Sequence, residues 1–391
     1  MMDLTIKIDK IFNESIKTIK HDYNCSSFAL KGSDLKTDIV CNHSLYFDSL
    51  KKLCSVFNNL FKKSNNKSDN FNEVIKIFIT NNKDIFREVK YLFQNSAWLT
   101  NYEVEKFNKA TYKTSKAKCT NDEKFYIIKC YEYLYCIYNT ESNYSLIVTS
   151  NEKKAITMIN ILLLIPYLAC GDLYAIHGGL VSNGKYNILI TGPSLSGKTT
   201  FSLLFLENNW QIVTEETTYI TKFGKILDYN VRNYFNIRIG TYFEFKDFLN
   251  RCGIIIKNSF LDSLIKSKKQ LFQLGKKKQI SIYFENLCKE RNNVIRKTIT
   301  HVLDVSLKKN ATEMAIKKIN PVKIVNRFLE ISFAPTTELF RKLIKFNKFK
   351  EEANMKRELN RLFRNVKCYS VISGLDYKKN FNFLLNAINL E

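Results

Sequence analysis

The stretch Asn187-Ile-Leu-Ile-Thr-Gly192-Pro-Ser-Leu-Ser-Gly-Lys198-Thr199-Thr200-Phe-Ser-Leu-Leu-Phe-Leu-Glu207 decides how the chain is read. An apolar run of strand length ends at Gly192, and Lys198 opens a segment whose Phe201, Leu204 and Phe205 recur at helical spacing. Between them, Gly192 to Thr199 satisfies G-x-x-x-x-G-K-[ST], which average residue frequencies produce by accident in roughly one chain in a hundred of this length. Strand, glycine-bounded loop and helix in this order form the setting in which such a loop binds phosphate. Its glycines let successive backbone N–H groups curl around an anion at a helix N-terminus. In that reading Gly192, Pro193, Ser194, Leu195, Ser196, Gly197, Lys198, Thr199 and Thr200 bind the nucleotide. Lys198 reaches the β- and γ-phosphates, and Thr199 places its hydroxyl on magnesium.

Working outward, half of the chain's 12 glycines (171, 178, 179, 184, 192 and 197) fall within 27 consecutive residues. The expected order there is a strand over 173–181, a turn at Asn183-Gly184, a strand over 186–191, the loop, a helix over 198–207 and a strand over 211–220. His177 is one of only 4 histidines and precedes Gly178-Gly179, which leave space beside an imidazole able to titrate near neutral pH. Gln211-Ile-Val-Thr-Glu215-Glu216 places two acids after a hydrophobic run. Side chains alternate along a strand, so the two carboxylates start on opposite faces unless the strand ends there and twists. One acid can serve magnesium while the other accepts the proton of an attacking hydroxyl.

The run His177-Gly-Gly-Leu-Val, the loop beginning fifteen residues on, and acids seventeen and eighteen residues after Lys198 together resemble bacterial HPr kinase/phosphorylase. The resemblance spans His177 to Ile220. It implies an α/β P-loop kinase core of the HPr kinase/PEP carboxykinase-like type with a mixed sheet, using ATP and Mg2+. It also implies that Lys198 and Thr199 serve nucleotide and metal while His177 and the acid pair handle the hydroxyl being phosphorylated. Glu215 is then expected as general base, with Glu216 on the metal side beside Thr199. Arg238, or Arg232, is expected to supply an arginine near the transferring phosphate. The family has Asp-Asp where this chain has Glu-Glu, so each carboxylate stands a methylene further out and the backbone must shift to restore the geometry. The order of elements outside this stretch is similar to HPr kinase-like proteins of peptide natural-product clusters, some of which phosphorylate a serine of a precursor peptide.

The whole chain has 391 residues, 45% hydrophobic and 13% aromatic with only 4 Pro, which excludes a disordered or collagen-like chain. Three regions are expected: a mainly helical one over 1–118, the P-loop core over 119–250, and a Lys-rich, mainly helical one over 251–391 ending in a strand and helix that can return to the core. No apolar run reaches the roughly 20 residues of a membrane span, and the first residues lack a signal peptide's apolar core, so a cytoplasmic protein is expected. The 10 Cys form no C-x-x-C pair and read as reduced, buried thiols. Lys+Arg 61 against Asp+Glu 37 gives a net charge of +24, which favours encounter with polyanions without naming one. The expected partner is a peptide or small-protein hydroxyl acceptor. A non-catalytic nucleotide-gated module and a nucleic-acid-stimulated ATPase, contacting nucleic acid through Lys266/Lys268/Lys269 and Lys276/Lys277/Lys278, are the alternatives, and a homo-oligomer is compatible with each.

Overall fold

The structure is a computed structural model that describes residues 4–22, 25–32, 35–61, 73–95, 100–102, 116–120, 122, 124–229, 234–254, 279–283, 298–308, 311, 313–332, 352–374 and 378–390. Both halves are α/β with mixed sheets. The described residues divide into two compact units, one within 1–174 and the other from 175–332 and 352–391. The expected boundaries at 118 and 250 are therefore not those of the structure. The Lys clusters at 266–269 and 276–278, and Arg232, lie outside the described residues.

The first unit holds helices α1 (Leu4–His21), α2 (Phe47–Phe61), α3 (Lys83–Asn95) and α4 (Glu152–Ala169). Its strands are β1 (Ser26–Lys31), β2 (Leu35–Cys41), β3 (Glu73–Thr80), β4 (Thr100–Tyr102), β5 (Lys116–Cys119), β6 (Phe125–Tyr131), β7 (Leu134–Asn139) and β8 (Tyr144–Thr149). They form one eight-stranded sheet in the order β1-β2-β3-β8-β7-β6-β5-β4. Helix outweighs strand among the described residues of 1–118, as expected, but the strands there were not expected. Leu50, Leu53 and Phe57 do recur on one face of α2, but β1 to β5 lie in the same region because Leu35, Thr37, Ile39 and Cys41 bury every second residue, the period of a strand. Phe12 of α1, Val89 and Phe93 of α3 and Phe78, Ile137 and Val148 of the sheet share a core. Tyr167 of α4 packs on Phe57 of α2 at 4.6 Å between rings and donates its hydroxyl to Leu30 O at 2.7 Å.

The chain passes to the second unit within β9 (Leu173–Ile176). There β11 (Asn187–Thr191) and helix α5 (Lys198–Glu207) follow as expected, but the strand expected over 173–181 is broken at His177 into β9 and β10 (Gly178–Ser182), which join different sheets. The strand expected over 211–220 ends as β12 (Gln211–Thr214), is broken at 215–217 and resumes as β13 (Thr218–Thr221). Next come β14 (Tyr234–Arg238), α6 (Ile239–Glu244), α7 (Lys246–Arg251), β15 (Gln279–Tyr283), β16 (His301–Leu307) and β17 (Ala315–Lys318). Helices α8 (Pro321–Ser332) and α9 (Glu352–Phe363), strand β18 (Lys367–Ser373) and α10 (Phe381–Ala387) complete the unit. The main sheet runs β12-β10-β11-β16-β18-β17. The phosphate-loop strand β11 lies antiparallel to β10 and parallel to β16, with Thr191 opposite Asp304. The terminal strand and helix expected over 366–391 do return to this sheet: β18 pairs with β16, and Phe381 of α10 meets Phe205 of α5 edge-on at 5.1 Å. Ile190, Phe201, Phe205, Leu303 and Val371 form the core behind the loop. Of the Lys-rich region expected as mainly helical over 251–391, residues 255–278, 284–297 and 333–351 lie outside the described residues, and the rest holds the four strands β15 to β18 beside its helices.

Six cysteines, 41, 54, 119, 130, 136 and 368, are buried free thiols. Burial pushes Cys41, Cys54, Cys136 and Cys368 up to about 12, away from thiolate chemistry.

His301 opens β16 between Tyr186, edge-on at 5.4 Å, and Tyr369, stacked at 6.4 Å. Burial, with the charge of Lys367, pushes its imidazole from 6.5 down to about 4. The unfolded chain thus binds a proton that the folded chain refuses between those values, so stability present above pH 6.5 is lost as pH falls towards 4. Urea midpoints measured from pH 7 to 4 are expected to fall less steeply in His301→Gln than in wild type; parallel slopes would contradict this assignment.

Candidate functional site

The second unit contains a cavity of about 260 Å3 lined by the loop residues 194–200 together with His177, Gly179, Glu215, Glu216, Asn236, Arg238, Thr241 and Leu307. His177, Lys198, Glu215, Glu216 and Arg238, expected from separate stretches of sequence, thus face one space. Gly192 and Pro193 take part through their carbonyls, which accept hydrogen bonds from Lys198 Nζ at 2.9 Å each.

The loop is shaped by backbone that most side chains resist. Gly197 caps α5 at φ +96°, and a Cβ there would lie 2.4 Å from Leu307 Cδ1. Only glycine satisfies both conditions. Leu195 adopts φ +69° and is exposed, an uncommon conformation for a bulky residue. The amide of Leu307 donates to Ser196 O at 2.9 Å and ties the loop to the end of β16. The first turn of α5 therefore lines the cavity, where the N-terminal amides of a helix can serve an anion.

The acid pair is presented by a break in the sheet. β12 ends at Thr214, Glu216 turns to φ +64°, and Thr217 N donates back to Glu215 O at 2.7 Å. The strand thus ends and twists, bringing both acids to the cavity instead of opposite faces. Thr214 and Thr218 share a hydroxyl hydrogen bond of 2.7 Å, Thr218 Oγ1 donates to Gly178 O at 2.9 Å, and Gly178 N donates to Glu216 O at 3.1 Å. These bonds hold the turn to the residue that follows His177.

The two acids then part. Thr199 Oγ1 donates to Glu215 Oε1 at 3.0 Å, and Glu215 is only 7% exposed. The other carboxylate oxygen crosses Gly179, where a Cβ would lie 2.9 Å from Glu215 Oε2 and 2.9 Å from Ser202 Oγ. Glu215, expected as the base, is the acid at the magnesium-side hydroxyl. Glu216, expected beside Thr199, is the half-buried one.

Lys198 sits among charges of both signs. Burial lowers its ammonium pKa, while Glu215, Glu216 and Asp304 oppose that shift and Arg238 adds to it. Burial also lowers Arg238. Asp304 was missed in the sequence, although His301-Val-Leu-Asp304 shows the same pattern of an apolar run closed by an acid that singles out Glu215. Asn236, Thr241 and Leu307 were missed because no motif marks them; Thr241 Oγ1 lies 3.3 Å from Thr200 Oγ1.

No protein-family model and no curated protein matches this chain. The chemistry of the donor set therefore carries the reading. A hydroxyl, a buried carboxylate and loop amides are hard oxygen and N–H groups that fit a magnesium-bound polyphosphate.

The crowding at Gly179 is testable by itself. Gly179→Ala should cost about 1–3 kcal/mol in urea unfolding. Removing the Ser202 hydroxyl as well should return part of that, with a coupling of about 0.5–3 kcal/mol. Wild-type stability in Gly179→Ala would show that the two side chains do not need this space.

Proposed function

We propose that the protein is an ATP-dependent kinase of HPr kinase-like type that transfers the γ-phosphoryl group to a hydroxyl of a peptide or small protein. The observation carrying this reading is the bond from Thr199, the metal-side hydroxyl of the phosphate loop, to Glu215 at 3.0 Å, with Glu216 and His177 lining the same cavity. A loop alone would fit any nucleotide-binding protein. A second acid and an imidazole beside it give an attacking hydroxyl somewhere to deliver its proton.

Thr199 and Glu215 would hold magnesium, which supplies neutralisation of charge on the phosphates. Lys198 and the loop amides other than that of Ser196, which donates to Pro193 O at 3.3 Å, bind the polyphosphate, and Arg238 faces the charge that spreads over the transferring group. Glu216 accepts the proton as the acceptor oxygen forms its bond to phosphorus and the bond from phosphorus to the β–γ bridging oxygen breaks, ADP leaving with that electron pair. The roles of the two glutamates are thus the reverse of those expected from the sequence. Positive φ at Glu216 is the backbone adjustment that longer carboxylates require.

Transfer of labelled γ-phosphate into serine-containing peptides and extracts, compared among wild type and three variants, tests this. Lys198→Ala should lose both nucleotide binding and transfer. Glu216→Gln should bind Mg·ATP normally and transfer about 100- to 10,000-fold more slowly. Glu215→Gln should weaken the dependence of binding on magnesium. Unimpaired transfer by Glu216→Gln would overturn the base assignment. No transfer by any form, with ATP still bound by wild type, would establish the nucleotide-gated module instead.

A further inference from the structure

Strand β14 presents two chemically distinct faces. Phe235 and Ile237 are fully buried in the core of the second unit, and the alternate residues Asn236 and Arg238 line the cavity. Asn236 is not left to choose its own orientation. It pairs in register with Ser281 of β15, whose hydroxyl donates to Asn236 Oδ1 at 2.8 Å. Ser281 donates to that oxygen and so leaves the Nδ2 hydrogens for a ligand in the cavity that Asn236 lines. Two residues on, the guanidinium of Arg238 adds a positive charge that burial has partly stripped of water. The cavity lining therefore combines a donor and a positive charge from β14 with the carboxylates of Glu215 and Glu216.

We propose that Asn236 and Arg238 are the recognition edge for an acidic group on the acceptor, a carboxylate near the hydroxyl to be phosphorylated; this rests on the kinase reading for its catalytic consequence. Charges of both signs lining one cavity give the acceptor a direction. A carboxylate is repelled by Glu215 and Glu216 and drawn to β14, where a desolvated guanidinium and an oriented amide reward an anion most. The acceptor hydroxyl then falls towards Glu216. A net charge of +24 brings acidic segments to the protein at long range, and the edge gives them register. Asn236 is a specificity residue in this account, and Ser281 positions it.

The test uses the full chain saturated with a non-hydrolysable Mg·ATP analogue. Fluorescein-labelled serine peptides flanked by Asp, by Asn or by Lys are titrated by anisotropy. Wild type should prefer the Asp-flanked peptide to the Asn-flanked one by about tenfold. Asn236→Asp keeps the acceptor for Ser281 and replaces the amide by a negative group. It should abolish that preference, and in turnover should raise KM for the acidic peptide by a larger factor than KM for the Asn-flanked one. Ser281→Ala should lose about threefold, and Ser281→Thr should restore it. Equal binding of acidic and neutral peptides by wild type would overturn the proposal, as would an Asn236→Asp variant whose only defect is in nucleotide affinity. Selective binding without phosphate transfer would leave the recognition edge standing and overturn the kinase reading. Transfer without acidic preference would do the opposite.

Discussion

The missing side chain at Gly179 is the constraint on which the site is built. Glu215 Oε2 and Ser202 Oγ both occupy the space that a Cβ would take. That close approach lets a buried carboxylate pass across β10 and reach Thr199 in the first turn of α5. β12 pairs with β10 and not with the phosphate-loop strand β11, so the acids must cross a whole strand to meet the loop. A side chain on β10 at this point would close the crossing. The chemistry of the loop and the chemistry of the acid pair come together only through this gap.

Around that crossing the cavity is electrically divided. Lys198 is held by carbonyls of its own loop and surrounded by Glu215, Glu216 and Asp304, whose charges counter the burial of its ammonium. Arg238 stands on β14 with its charge directed at the same space. On the kinase reading proposed above, a polyphosphate lies beside the cations and a hydroxyl beside the acids. Preorganised charge of this kind is what phosphoryl transfer asks of a protein, since the reaction consists mostly of positioning and charge neutralisation.

Much of this was legible in the sequence because local chemistry fixed it. The G-x-x-x-x-G-K-[ST] spacing, the apolar strand before it and the helical spacing of Phe201, Leu204 and Phe205 led directly to β11, loop and α5. The return of β18 and α10 to the sheet could be read from Val366 to Ile372 and the glycine after it. The division of labour between Glu215 and Glu216 was not legible, because a turn at positive φ in a glutamate has no sequence signature. Asn236 was hidden for a different reason: its place in the site depends on which strand pairs with which, a long-range fact. The strands of the N-terminal region were missed because the helical spacing of α2 was extended over neighbours such as β2, whose residues alternate at the strand period.

The claim that most depends on these contacts is that Thr199 and Glu215 form the metal-side pair of a nucleotide loop. Calorimetric titration with ATP, with and without Mg2+, in wild type and Thr199→Val addresses it directly. The account predicts that magnesium tightens ATP binding by wild type about tenfold or more. It also predicts that Thr199→Val binds ATP with an affinity that magnesium does not change. Equal tightening by magnesium in both proteins, or no binding of ATP by wild type under either condition, would contradict it.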